Sequence, residues 1–314
     1  MEEKDNNKVI KAYKSFNKDM TCRGFQYEVG KEYETNDAVL CEKGFHACEN
    51  PLDVLDFYSD VDDKYCVVEQ SGKTETDGKK TVSSRIKIIA EVGFVGLLKL
   101  GIEWLKEITS PKKVDNKDDG DYAKIGSSVD SAQIGSSDNY AQIGSSGYSA
   151  QIGSSGYSVQ IGSSGNYAKI GSSGTYAKIG SSGTYAKIGS SGNYAKIGSS
   201  GDYAKIGSSG DSAKIGSSGN YAKIGSLGTY AKIGSSGNSA QINSEGEESV
   251  ICCAGHNSIV KAKKGSWITL SEWKYDDKKN RYVPVCVKTE RVDGEHIKED
   301  VFYKLVNGEF VEVE

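Results

Sequence analysis

Gly165-Asn-Tyr-Ala-Lys-Ile-Gly-Ser-Ser173 is one unit of a nine-residue repeat that fills residues 121 to 245 and decides the fold. The isoleucines set its register: Ile125, Ile134, Ile143, Ile152, Ile161, Ile170, Ile179, Ile188, Ile197, Ile206, Ile215, Ile224, Ile233 and Ile242, fourteen units with no insertion. Gly/Ser content alone reads as a flexible linker, but linkers carry no regularly spaced apolar residue, and a fixed period points to stacked structural units. Within a unit, Tyr-Ala-Lys-Ile alternates out, in, out, in, the mark of a half-buried strand. Gly-Ser-Ser-Gly then supplies the turn, with glycine serving positive φ or close packing.

One nonapeptide cannot bury its own apolar face, so units must stack. The simplest closure places two units in each coil and gives a β-solenoid of two parallel sheets around an Ile/Ala core, about seven coils long. A three-sided coil is the alternative. The nonapeptide length resembles the calcium-binding β-roll, which needs an aspartate in each turn. These turns carry Gly-Ser-Ser, so no calcium is expected along the rod.

Two units per coil put alternate units on one face. Tyr122, Tyr140, Tyr176, Tyr194 and Tyr230 fall on the first, and Tyr167, Tyr185, Tyr203 and Tyr221 on the second, beside Lys169, Lys187, Lys205 and Lys223. Aromatic ladders with adjacent cations suit a glycan, an anionic surface or a protein partner. They also suit simple coverage of the sheet, with lysine deterring edge pairing. An ice-binding solenoid would present threonine ladders, and here threonine appears only at Thr175, Thr184 and Thr229. Long flat faces also allow self-association.

The net charge of −4 is uneven. Residues 121–243 hold nine lysines against five aspartates, a balance of +4, so the two ends together carry −8. A mildly basic rod between acidic ends is not a nucleic-acid-binding profile. Seven cysteines, an odd number, do not suggest a secreted disulfide framework. No apolar signal segment follows Met1, and the apolar run between Ile86 and Ile108 is broken by six charged residues. The expectation is a cytoplasmic or virion-associated protein with no membrane span.

The repeat divides the chain into an α+β domain (residues 1–110), a charged linker (111–120), the solenoid (121–245), and degenerate repeats with a β cap (246–314). In the first domain, strands are expected over Val9–Phe16, Gly24–Glu34, Tyr65–Gln70 and Ser83–Ile89. A Pro51-led helix capped by Asn50 and an amphipathic helix from Ile89 to Ile108 complete it. Thr74–Lys80 reads as a loop. In the last region, Ser249–Gly255 and Ser258–Ala262 read as degenerate repeats. Trp267–Trp273, Arg281–Val292 and Val301–Val313 read as strands, with hairpin turns at Asp276-Asp277 and Asn307-Gly308. They form an antiparallel cap over the open coil.

The strings Cys22-Arg-Gly-Phe-Gln-Tyr-Glu-Val-Gly-Lys-Glu-Tyr-Glu34 and Gly44-Phe-His-Ala-Cys-Glu-Asn-Pro-Leu-Asp53 resemble an uncharacterised domain-of-unknown-function family of Clostridia-like bacteria and their phages. Trp267-Ile-Thr-Leu-Ser-Glu-Trp273 resembles the tail that accompanies it. The resemblance implies a phage setting and supplies no activity.

Cys22, Cys41, His46 and Cys48 are soft metal-ligand types, but only His46 and Cys48 are close, and no paired spacing of a zinc site is present. No metal or cofactor is expected. The element order is also loosely similar to the split sheet of ADP-ribosyltransferases. That likeness implies His46 on the nicotinamide ribose and Glu69 as the catalytic carboxylate, although the full signature is missing. The leading expectation is a non-enzymatic structural and display protein, a rigid spacer whose Tyr/Lys faces meet a partner. The enzyme and the ice-binding solenoid are the competing readings.

Overall fold

The computed structural model describes residues 9–58, 60–108 and 121–313. The expected linker at 111–120 lies outside them. The chain forms two compact units, residues 1–104 and 105–314.

In the N-terminal unit the strands are β1 (Ile10–Phe16), β2 (Thr21–Cys22), β3 (Phe25–Gln26), β4 (Glu32–Glu34), β5 (Phe45–Ala47), β6 (Lys64–Thr76) and β7 (Thr81–Glu91). The main sheet runs β1-β6-β7-β4, with β5 also paired to β7. The strand expected over Gly24–Glu34 is instead a two-residue hairpin, β2–β3, followed by the short β4. Arg23 and Gly24 both take positive φ, 51° and 77°, and fold the chain back at that point. The expected loop Thr74–Lys80 is shorter, since β6 runs on to Thr76.

A 3-10 helix spans Pro51–Asp56, with the Asn50 side chain accepting from the Leu52 amide at 3.0 Å. Helix α1 covers Gly93–Ile108. It starts later than expected because Ile86 and Ile88, alternating with Lys87, extend β7 to Glu91, and Gly93 at φ 65° makes the break. One face of the sheet packs Ala12, Phe16, Cys66, Val68, Ile86 and Ile88. On the other, Tyr65 meets Phe94 of α1 at 5.9 Å.

In the second unit each nonapeptide contributes one four-residue strand, from β8 (Lys124–Ser127) to β21 (Gln241–Ser244). The degenerate repeats add β22 (Val250–Cys253) and β23 (Ile259–Ala262). Alternate units pair in parallel, with Ile143 opposite Ile125 and Ile161. Two units therefore complete one coil, and the solenoid has about eight turns. At ~4.8 Å per strand spacing this is a rod of roughly 40 Å.

The strand within each unit is Lys/Gln-Ile-Gly-Ser, not Tyr-Ala-Lys-Ile. Ile and the first Ser point inward with Ala; Lys/Gln and Gly point outward. The residue at the tyrosine position is left-handed in all fourteen units, with φ between 55° and 72°. The turn glycine serves close approach instead: a Cβ on Gly183 would lie 2.0 Å from the carbonyl oxygen of Gly165 in the coil before. Asn and Asp at the next position stitch coils together. Asn193 Oδ1 accepts from the Asp211 amide at 2.9 Å, and Asp202 Oδ1 from Asn220 at 2.7 Å. Main-chain bonds between coils accompany them, such as Tyr176 N–H to the Asn193 carbonyl at 2.9 Å.

The cap consists of two hairpins, each continuing one sheet. Strand β24 (Trp267–Asp276) pairs with β22 and then with β25 (Arg281–Arg291). Strand β26 (Phe302–Val306) pairs with β23 and then with β27 (Glu309–Val313). The expected hairpin turn at Asn307-Gly308 joins these last two strands. Glu272 links the hairpins by accepting from the Gly308 amide at 2.8 Å.

Candidate functional site

The two sheets of the rod carry the same repeat but present different surfaces. On the first, which starts with β8, Gly144, Gly162, Gly180, Gly198 and Gly216 are exposed. Lys178, Lys196, Lys214 and Lys232 stand beside them on adjacent strands. Among the described residues, no carboxylate lies within 4 Å of these four ammonium groups. On the second sheet the equivalent glycines are buried. There Lys187 is 3% exposed, Lys169, Lys205 and Lys223 are half-buried, and all four already make contacts.

The tyrosines line the corners of the coil. Tyr122 stacks on Tyr140 at 4.9 Å and Tyr176 on Tyr194 at 5.0 Å beside the first sheet. Tyr167, Tyr185, Tyr203 and Tyr221 stack at 4.8 to 5.0 Å beside the second. Ser158 would interrupt the first ladder, but Tyr157 from the preceding position fills the rung, 5.9 Å from Tyr140 and 5.4 Å from Tyr176. Tyr148 does the same below Tyr167, at 5.2 Å. Tyr148 and Tyr157 fall outside the strict nine-residue period; a tyrosine one place before a serine marks them in the sequence. Tyr230 stands at the far end of the first ladder, exposed and beyond the Ser212 position.

In the N-terminal unit a cleft of about 650 Å³ opens on the sheet face that carries Lys14. His46 lines it. Its Nε2 accepts from the Cys41 amide at 2.9 Å. Partial burial, then the charges of Lys80, Lys14 and Arg23, push its pKa below the usual imidazole value. Gly44 is required just before it: φ is +98°, and a Cβ would lie 2.8 Å from Val82 and 2.9 Å from the Ser83 carbonyl oxygen. Buried Gln70 holds β5 in place by donating to the carbonyls of Phe45 (2.7 Å) and Thr81 (3.0 Å).

Glu69 is not in this cleft. Across β1–β6 Lys14 pairs with Cys66 and Glu69 with Lys11, so Glu69 is exposed on the opposite face from Lys14. The fold does not bring His46 and Glu69 together. Cys22, Cys41 and Cys48 all line the cleft with His46, yet among the described residues no group of three or more His, Cys, Asp and Glu side chains is arranged to hold a metal ion. Likewise, no helix among them is long and apolar enough to cross a membrane.

Residues 10–100 match the model of a family described as a domain of unknown function (DUF7666), so the N-terminal unit is similar to that family. No curated protein and no solved structure matches the chain.

Proposed function

We propose that the protein is a non-enzymatic display scaffold whose rigid solenoid binds a linear acidic polysaccharide along its first sheet. The observation that carries this reading is the open row of Lys178, Lys196, Lys214 and Lys232, flanked along the rod by the tyrosine ladder through Tyr140, Tyr157, Tyr176 and Tyr194. Four ammonium groups on adjacent strands repel one another, and a polyanion lying along the axis relieves that repulsion. The exposed glycines leave the floor low enough for a chain to lie between lysines and rings. The tyrosine faces then stack on sugar rings as they stack on each other.

The repeat itself supports the scaffold half of the reading. Every coil repeats the same main-chain bonds to its neighbours, and the Ile and Ala side chains of the inner coils are at most 3% exposed, so the rod has no hinge within it. A place on a virion rests on the family resemblance, and tail or capsid genes beside its own would support it.

The test is affinity electrophoresis of the full chain in gels containing polygalacturonate, with neutral dextran as the control polymer. Binding to polygalacturonate that weakens with added salt is expected. Changing Lys178, Lys196, Lys214 and Lys232 together to Gln abolishes it without unfolding, because Gln already stands at Gln142 and Gln160 in the same row. Unchanged binding by that variant overturns the reading. So does equal retention by dextran, or a face occupied by a second copy of the chain in light scattering.

A further inference from the structure

The cleft of the N-terminal unit has its own chemistry, independent of the rod. Its floor holds the Lys14 side chain, 7% exposed, with Nζ donating to the His46 carbonyl at 3.1 Å and lying 3.6 Å from Cys22 Sγ. Arg23 and Lys80 stand at its rim. Among the described residues, no carboxylate lies within 4 Å of Lys14, Arg23 or Lys80. The lining carboxylate of Glu34 is already matched by Arg85, which grips it through Nε at 2.9 Å and Nη2 at 2.8 Å. Glu42, at the edge, is exposed.

Three cations around one concavity without a counter-ion are costly, the more so for Lys14, which is nearly removed from water. Burial accordingly lowers the Lys14 pKa from its ordinary value. Such an arrangement is stable in the folded chain but poised for a negative group to enter.

The cleft also has an aromatic wall. Phe25, Tyr27 and Tyr33 meet edge to face, with centroids 4.8 to 5.5 Å apart, and Phe25 is half exposed. Phe57 faces the cleft under the Lys80 ammonium at 4.9 Å. The backbone itself is strained toward this arrangement, since Arg23 sits at φ 51° at the hairpin tip. We propose that this cleft binds a small anion bearing a planar aromatic ring, of the size and chemistry of a 5′-mononucleotide. The ring lies on the Phe25–Tyr33 wall, and the phosphate takes Arg23 and Lys80 at the rim, with Lys14 beneath. The volume lies within the usual range of small-molecule sites.

The experiment is isothermal titration of the full chain with each of the four 5′-mononucleotides, inorganic phosphate and adenosine. At least one mononucleotide is expected to bind, at least about tenfold tighter than adenosine or inorganic phosphate alone, because each supplies only half of the contacts. The double variant Arg23→Asn, Lys80→Gln is expected to weaken that binding by at least about tenfold. Asn tolerates the left-handed conformation at position 23, so the hairpin is kept. Lys99→Gln, an exposed lysine on α1, serves as a control and should leave affinity unchanged. Absence of binding by all four mononucleotides overturns the proposal. Full affinity in the double variant, or inorganic phosphate binding as tightly as any mononucleotide, does so as well. None of these outcomes bears on polysaccharide binding by the rod.

Discussion

The repeat contains a matched pair of glycines that tests why the solenoid needs them. Gly183 lies in the turn and Gly180, three residues earlier, on the open first sheet. A Cβ on Gly183 would stand 2.0 Å from the Gly165 oxygen, 2.5 Å from its carbonyl carbon and 2.9 Å from the Asn166 nitrogen. All three are backbone atoms of the previous coil and cannot swing aside. Reaching even a tight 3.0 Å contact means separating the coils locally by about 1 Å. Three inter-coil bonds cross that point: Ser182 N–H to the Ser163 carbonyl (3.0 Å), Tyr167 N–H to the Thr184 carbonyl (2.9 Å) and Thr184 N–H to Asn166 Oδ1 (2.9 Å). Stretched to nearly 4 Å they cease to be hydrogen bonds. At a net ~1 kcal/mol each, Gly183→Ala costs about 3 kcal/mol. Gly180→Ala meets nothing within 4 Å. It restricts the unfolded chain and stabilises the fold by roughly 0.5–1 kcal/mol. Urea unfolding followed by far-UV circular dichroism separates the two, and amide exchange at Ser182 and Thr184 localises the damage. If the variants shifted the midpoint equally, close approach would not be the reason for the turn glycine.

Three further outcomes are expected. Removing 18 residues, 174–191, takes out one complete coil and keeps every remaining strand on its own sheet. The variant should keep its circular dichroism per residue, whereas removing five residues inside that stretch should not. Ser212 already has the left-handed backbone of its tyrosine neighbours, φ 57°. Ser212→Tyr should therefore complete the rung between Tyr194 and Tyr230, add about 0.5–1.5 kcal/mol in thermal unfolding and strengthen near-ultraviolet dichroism. Asp293 accepts hydrogen bonds from the amides of Glu295, Ile297 and His296, which hold its pKa at about 2, below the ordinary 3.8. Its folded pKa is depressed, so its contribution is fully present above the ordinary value and is lost as pH falls through about 2. Asp293→Asn should flatten melting temperature against pH in that window, and an unchanged acid limb would refute the assignment.

The period of the isoleucines made the solenoid, the two-unit coil and the cap readable in the sequence, because an apolar residue every nine positions has no other use. The hairpin at Asn307-Gly308 and the cap at Asn50 were readable for equally local reasons. What period-two reasoning misplaced was the boundary between strand and turn. Tyr-Ala-Lys-Ile and Lys-Ile-Gly-Ser both alternate, and tyrosine ordinarily favours strands, so nothing local reveals that it bends backward here. The cleft was hidden for another reason. Lys14, Arg23 and Lys80 come from three separate segments, and no spacing rule joins them. His46 was singled out by its Gly44-Phe-His context, but Glu69 was joined to it only by chain order, and the pleat of β6 sends it to the other face.

The left-handed tyrosines show how the rod and its surface are one design. A β-carbon in that conformation costs about 1–2 kcal/mol, and asparagine or glycine would bear it more easily. Asn257 takes that place in the degenerate unit, at φ 55°, outside the ladder. Within the ladder the cost is offset by rings stacked about 5 Å apart, which require the side chain to leave the corner in this direction. Where serine replaces tyrosine at Ser149 and Ser158, the ring moves one residue back, to Tyr148 and Tyr157, and the stack continues. Continuity of the aromatic edge is therefore kept at these two positions, and the first ladder runs without a gap from Tyr122 to Tyr194. Core packing alone does not explain this, since Ala150 and Val159 beneath are fully buried beside either residue. An aromatic edge that runs from Tyr122 to Tyr194 and meets the open lysine row at Lys178 and Lys196 is what a long ligand needs.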